Sequence, residues 1–539
     1  MSDAAPEATG SNLGTGITKN DYHEDGDMRF HDLYERLKQN AADPAVRIRV
    51  LALVGGKAIG LALVLAAMWV FVAPAVYAQS GQPTAEMNAI NTAWTLIAAF
   101  LVFGMQVGFV MLEAGFARSR ESVNILVEGI VDTCICGVTF WAWGFAFMFE
   151  SGNGFIGTHG FFLNGLADTY GTTGVPLLAF WVFQFAFADT CSTITSGAMV
   201  GRCGFIGDIL YSIGVTGFIY PIIGHWAWGP DGWLATLSTP FRDFAGSTVV
   251  HTIGGAISLI GAIALGPRLG RVFRRDGGGP MLPHNIILGA VGGLILWFGW
   301  YGFNPGSTLS ALDTQGIGRV SFNTTMAACA AGLSALFYAY ARVRKWDLGI
   351  TVNAFLAGLV AITCPCYWVS PTGAFLIGLV AGVVVIWATD ALEYLRIDDP
   401  IGAVPVHMVA GIWGTLSLGL FATGAYGVPG PMGADTSTVV KGLFYGGGTA
   451  QLIAQAIGSS SVTIATLVVS AALMYAVKAT GTLRVSREGE LEGLDLHEHG
   501  MPAYPEYVLH GVTLTADATA NGESRSPALA PAATPLRAQ

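Results

Sequence analysis

Two histidines, His251 and His407, stand inside stretches so apolar that an ionisable group there is expensive and marks a function by default. Their frames match. The first reads DFAGSTVVH from Asp243 and the second DPIGAVPVH from Asp399, and each runs from Asp through Gly to a closing Val-His. A further glycine follows each histidine by four residues, at Gly255 and Gly411. The eight residues from Asp to His would rise about 12 Å in a helix, which puts both imidazoles near the middle of a membrane. With an unperturbed pKa near 6.5, imidazole can both donate and accept a proton. One histidine in an apolar span could be a core residue satisfied by a backbone carbonyl. Two in matched, Asp-led frames point to a shared site.

The elements that must position them are membrane helices. Of 539 residues, 53% are hydrophobic and 12% charged, against roughly 25% charged in an ordinary soluble domain. Apolar runs recur over 52–77, 90–114, 123–149, 174–200, 206–228, 244–266, 284–304, 320–342, 349–368, 372–393, 403–423 and 443–478, and about 20 residues suffice to cross a bilayer. The short alternating segments of a β-barrel are absent. The 72 glycines suit membrane helices, where small residues let backbones approach closely.

Lysine and arginine orient these spans, because short cytoplasmic loops keep positive charge. Every alternate connection after 90–114 is basic: Arg118 and Arg120; Arg202; Arg268, Arg271, Arg274 and Arg275; Arg342, Arg344 and Lys345; Arg396; and finally Lys478, Arg484 and Arg487. The opposite set carries Arg242, Arg319 and Lys441. Residues 79–89 are therefore expected outside and the tail from Lys478 inside. The His251 span then runs inward and the His407 span outward. Two five-helix halves of opposite orientation, related by an axis in the membrane plane, bring such equivalent residues together at the midplane. The expected fold is an all-α membrane protein of eleven core transmembrane helices in two inverted five-helix repeats, with an N-terminal signal or extra helix.

The ends are less regular. Residues 1–50 form a polar arm. Residues 51–78 read either as a signal peptide, with small residues at a candidate cleavage site around Ala78, or as a retained twelfth helix. The membrane domain is expected over 86–480, a cytoplasmic tail over 481–507, and a polar, disordered end over 508–539. Cys364 and Cys366 have no His or carboxylate near them in sequence to complete a metal site, and the cysteines are read as small hydrophobes. The formal net charge of −10 comes partly from the two ends and argues for no partner, nucleic acid included.

The segments GFVMLEAGFARSRESVN (108–124), ITSGAMVGR (194–202), YPIIGHWAWGPDGWLA (220–235), DFAGSTVVH, LWFGWYGFNPGS (296–307), DDPIGAVPVH (398–407) and LRVSREGELEGLDLHEHGMPAY (483–504) together resemble the Amt/Mep/Rh ammonium transporter family, in particular its Amt branch, over roughly 86–507. The resemblance implies a homotrimer in a bacterial inner membrane, each subunit carrying its own narrow pore for ammonium or ammonia, with no cofactor and no enzymatic step. By that resemblance Trp228 lends its π-face to the cation in an outer vestibule, Ser307 accepts a hydrogen bond from it, and Asp243 shapes the vestibule or else caps its helix. Phe303 matches one member of an aromatic gate, while Cys191 stands where bacterial members often carry Phe. Phe187, one turn earlier, retains an aromatic there, so the gate is either looser or rebuilt from Phe187. Trp300 lines the pore, His251 and His407 form a paired-imidazole site, and Asp399 holds inner helix ends together. The tail of this family packs beneath the neighbouring subunit, and a PII-type nitrogen regulator is a candidate partner at the cytoplasmic face.

The chain departs from the family on that face. Where the family commonly has Ala-Glu-Arg it has Val200-Gly201-Arg202, and where the family has Arg-x-Lys-Asn it has Arg118-Ser119-Arg120-Glu121. These changes favour, as the main alternative to transport, an ammonium sensor that uses the same vestibule. An Rh-type channel fits Trp228 and the tail less well, and a hydrolase lacks a nucleophile motif.

Overall fold

The computed structural model describes residues 85–171, 173–427 and 439–505. The arm 1–50, the segment 51–78 with its two readings, and the end 508–539 lie outside those residues. Among the described residues, ten helices are long and apolar enough to cross a membrane, and an eleventh is apolar but shorter. In chain order they are α1 (Ala85–Phe116), α2 (Ser119–Phe149), α3 (Leu177–Gly197), α4 (Phe205–Trp228), α5 (Ser247–Leu265), α6 (Ile286–Thr308), α7 (Thr314–Val343), α8 (Leu348–Thr363), α9 (Pro371–Leu395), α10 (Val404–Phe421) and α11 (Ala450–Ala479). The chain is thus an all-α membrane protein.

Side-chain caps start several helices where the sequence turns polar: Asn285 accepts from the Leu288 amide, Asp313 from Gly316, Asp347 from Ile350 and Ser370 from Gly373. The apolar run 349–368 stops being helical at Thr363. Pro365 lies at this stop and has no N–H to donate to the Ala361 carbonyl one turn back. Its freed backbone is recaptured across the core: Ser247 Oγ donates to the Val360 carbonyl at 2.7 Å and accepts from the Cys364 amide at 2.6 Å. Helix α11 begins at Ala450 rather than 443, because Gly446 and Gly448 both take positive φ.

The two halves are joined through their matching helices. A Cβ at Gly108 of α1 would lie 2.9 Å from the Gly292 carbonyl of α6, so these first helices of each half meet backbone to backbone. The last helices of each half do the same. A Cβ at Gly255 of α5 would sit 2.4 Å from the Met408 amide, and one at Gly411 of α10 would sit 2.4 Å from the Ser247 carbonyl. The glycines four residues past each histidine therefore let α5 and α10 cross at contact distance.

On the face that carries the basic connections, Asp398 ties three loops. Arg268 grips it with Nε at 2.8 Å and Nη2 at 2.9 Å, and Arg202 donates to its carbonyl at 2.6 Å. Although burial opposes the charge, the Arg268 guanidinium holds the Asp398 carboxyl well below the usual carboxylate range. Loop bridging, expected of Asp399, belongs instead to its neighbour. Asp399 spends its carboxylate on its own helix start, accepting from the amides of Gly402, Ala403 and Val404.

The tail lies on this same face as two short helices, α12 (Arg487–Glu492) and α13 (Leu494–His499). Glu490 and Asp495 are buried: Glu490 accepts from the Leu269 amide at 2.6 Å and from Arg484 at 2.8 Å, and Asp495 accepts from the Asn124 amide at 2.9 Å. Gly493 and Gly500 carry the expected sharp turns with positive φ, and Gly493 passes so close to Arg120 that a Cβ would meet its side chain at 2.7 Å.

Candidate functional site

Each histidine sits in a widened turn. The first residues of α5, Ser247–Thr252, and of α10, Val404–Val409, form π-helix rather than α-helix, a local form often found at functional positions. What pins the α5 turn is Asp243. Its Oδ1 accepts from the Gly246 and Ser247 amides and its Oδ2 from those of Thr248 and Val249, all at 2.8–3.0 Å. Asp399 repeats the arrangement before α10. The matched Asp…His frames are therefore a matched device: a carboxylate caps the helix, a glycine with positive φ turns the chain (Gly246 +110°, Gly402 +85°), and the imidazole projects from the wide turn that follows. Of the two roles open to Asp243, capping is the one its side chain is seen in.

The two imidazoles meet. Nδ1 of His407 lies 3.2 Å from Nδ1 of His251, with ring centroids 5.3 Å apart. One nitrogen donates and the other accepts, and either direction satisfies the geometry. On the side away from the basic loops, His251 stacks on Trp300 at 5.1 Å and on Phe303 at 5.3 Å. Its Nε2 is buried with no hydrogen-bond partner among the described residues, and such an orphan in a native site calls for an explanation. Trp300 is oriented by donating Nε1–H to Thr363 Oγ1 at 2.9 Å.

Phe303 continues the column. Phe187 stacks on it at a centroid distance of 4.0 Å, and Trp228 meets the edge of Phe187 at 6.2 Å. Trp228 is held by its Nε1–H on the Asp243 carbonyl at 2.8 Å, and Ser307 donates to the Phe303 carbonyl at 2.7 Å. Trp228, Ser307, Asp243, Phe187, Phe303, Trp300, His251 and His407 are thus one connected set, and all eight are buried. Cys191 is buried on the same helix as Phe187. Phe187, one turn before it, makes the aromatic stack.

Beyond His407 the column opens into a cavity of about 20 Å³ lined by Phe109, Leu112, Glu113, Ile194, Asn353 and Val406, among others. Sequence reading did not single out Phe109 or Glu113. The signal for Glu113 was present, as a carboxylate within the apolar run of α1. Among the described residues no group of three or more His, Cys, Asp or Glu could hold a metal ion. The arrangement is a buried aromatic and imidazole column that runs from Trp228 through Phe187 and Phe303 to His251 and His407.

Comparisons with known proteins agree on one family. The profile described as Ammonium Transporter Family matches residues 93–504. Ammonium transporter Amt2 of Archaeoglobus fulgidus is 40% identical over 429 residues, covering 78% of this chain and 89% of that one. Ammonium transporter 1 member 3 of Solanum lycopersicum is 36% identical over 435 residues, covering 77% and 93%. Among solved structures, a Sensor Amt Protein superposes with a TM-score of 0.69 at 39% identity, covering 77% of this chain and 99% of that one. Mep2 of Saccharomyces cerevisiae superposes with a TM-score of 0.68 at 27% identity, covering 76% and 94%.

Proposed function

Since the chain belongs to the Ammonium Transporter Family, we propose that it recruits ammonium at an outer vestibule and conducts ammonia through the column described above, the proton following along the histidine pair. The observation that carries this reading is the direct Nδ1–Nδ1 contact of His251 and His407 at the end of an aromatic stack. An isolated charge at the bilayer centre costs about 2.5–3.5 kcal/mol on insertion scales and more in simulations, so a dry column favours ammonia over ammonium. Trp228 would hold the cation by its π-face, worth about 0.5–2 kcal/mol, with Ser307 accepting a hydrogen bond. Deprotonation there would release ammonia past Phe187 and Phe303. His251, with its orphaned Nε2, then meets it, and the imidazole pair relays the proton.

In this reading the basic face is cytoplasmic, the protein sits in a bacterial inner membrane as a homotrimer, and a PII-type regulator can dock beside the tail. The test is uptake of labelled methylammonium by vesicles of purified protein. Wild-type vesicles should accumulate it, and His251→Ala with His407→Ala should impair or alter that uptake. The likeness to a Sensor Amt Protein at 39% identity supports a second reading, in which the same vestibule binds ammonium to signal. Vesicles that bind ammonium yet move none would replace transport by that reading.

A further inference from the structure

Glu113, in the last turn of α1, is a buried carboxylate that the histidine column does not use. It is 4% exposed and accepts from Ser196 Oγ of α3 at 3.3 Å. It lines the same small cavity as His407 of α10 and Asn353 of α8, and no lysine or arginine is among the lining residues. Asp208 of α4 and Glu128 of α2, whose charges act on Glu113, are themselves acidic. A buried carboxylate without a basic partner must take up either a proton or a cation. A cavity of about 20 Å³ has room for roughly one water-sized molecule, and ammonia and ammonium are molecules of that size.

We infer that Glu113 is an inner ammonium site, the acid that returns the proton to ammonia as it leaves the histidine pair. The inference rests on the transport reading above and deepens it. The Nδ1 of His407 is engaged with His251, which leaves Nε2 as the nitrogen available to the cavity. His407 accepts a proton from His251 on Nδ1 and releases one from Nε2 to the Glu113 carboxylate. The protonated carboxyl then gives its proton to the lone pair of ammonia: the O–H bond breaks, an N–H bond forms, and carboxylate and ammonium remain as an ion pair in the cavity. Ammonium departs toward the basic face, and the carboxylate is ready for the next proton. Ser196 Oγ, 3.3 Å from Glu113 Oε2, also donates to the Thr193 carbonyl at 2.8 Å, so it can donate to the carboxylate or accept from the protonated carboxyl.

The test is ammonium-evoked current across vesicles of the full-length protein on a solid-supported membrane, with Glu113→Gln and Glu113→Asp beside wild type. Glu113→Gln should lower the current about 10-fold or more, the worth of one hydrogen bond to a charged group, and should flatten its dependence on pH at the inner face. Glu113→Asp should restore most of both. Wild-type current that persists unchanged in Glu113→Gln, with the same pH profile, overturns the inference and leaves the transport reading intact. Equal loss in both variants overturns it too, by making Glu113 structural. Absence of wild-type current sinks the transport reading itself. Infrared difference spectra of wild type, ammonium minus sodium, supply a check that needs no glutamine variant: they should carry a carboxyl band that moves in Glu113→Asp, and no such band rejects the site.

Discussion

Cys191 and Phe187 lie one turn apart on α3, and the aromatic contact falls to Phe187, which stacks on Phe303 at 4.0 Å. A phenylalanine at 191 would not restore a missing gate. It would enter a site that is already fully buried, and added volume in a packed core costs about 1–3 kcal/mol. Cys191→Phe is therefore expected to lower the thermal midpoint in detergent and to reduce methylammonium flux or leave it unchanged. A large gain in flux would show that the constriction is not the Phe187–Phe303 pair. Asp243 teaches a related point. Its four amide partners make it the anchor of the π turn that aims His251, while its carbonyl holds Trp228. One residue thus sets both ends of the column.

The two departures on the basic face turn out to be a single exchange between elements. Gly201, with φ +81°, follows α3, and Glu121 lies in the first turn of α2. A Cβ at Gly201 would lie 2.7 Å from Glu121 Oε1. Glu121 is fully buried, Arg118 pairs with it, and Arg118 also donates to the Gly201 carbonyl at 3.2 Å. Where the resemblance puts a carboxylate at the position of Gly201, this chain sets Glu121 of α2 against that glycine. Gly201→Glu alone should destabilise by about 1–3 kcal/mol, since it strains a left-handed residue and crowds two carboxylates. Adding Glu121→Asn should recover part of that loss. Thermal unfolding of the four proteins as a double-mutant cycle measures the coupling, and additive effects would reject the exchange.

The tail connects what the helices leave separate. Through Arg484, Glu490 and Asp495 it touches the end of α5, the loop that follows it and the first turns of α2, so it bridges helix ends on the basic face. Deleting residues 483–507 is expected to lower transport while leaving oligomer assembly to the helices. Full wild-type uptake by that truncation would remove a regulatory role. Acid–base behaviour also belongs to the protein as a whole. On the opposite side, burial pushes the Glu150 carboxyl up to about 7. A pKa raised by folding stabilises fully below the unfolded value, near 4.5, and loses that contribution as pH rises through about 7. Asp398 has the opposite sign: its depressed pKa stabilises above its ordinary value of 3.8 and is lost as the solution is acidified below it. The thermal midpoint should therefore fall between pH 5 and pH 8, and Glu150→Gln should flatten that fall. An unchanged slope in the variant would assign it to other groups.

Composition and charge periodicity were enough to establish a membrane protein, its spans to within about a turn for most helices, and the pairing of His251 with His407. Those signals are local: a long apolar run must be helical in lipid because its backbone has no other partner, and a repeated Asp…Gly…His frame can be read along one strand of text. The end of α8 at Thr363 was also legible from Pro365, but the apolar run hid it. Other assignments were out of reach. That Phe187 rather than residue 191 meets Phe303, that Asp398 rather than Asp399 bridges the loops, that Glu121 fills the space at Gly201, and that Glu113 faces the cavity below His407 depend on how each helix is rotated about its axis and how the loops between helices pack. In a soluble helix a polar stripe reports that rotation. Here lipid and protein interior are equally apolar, so helices such as α1 carry large hydrophobic side chains on both faces, and only their mutual packing decides which face looks inward.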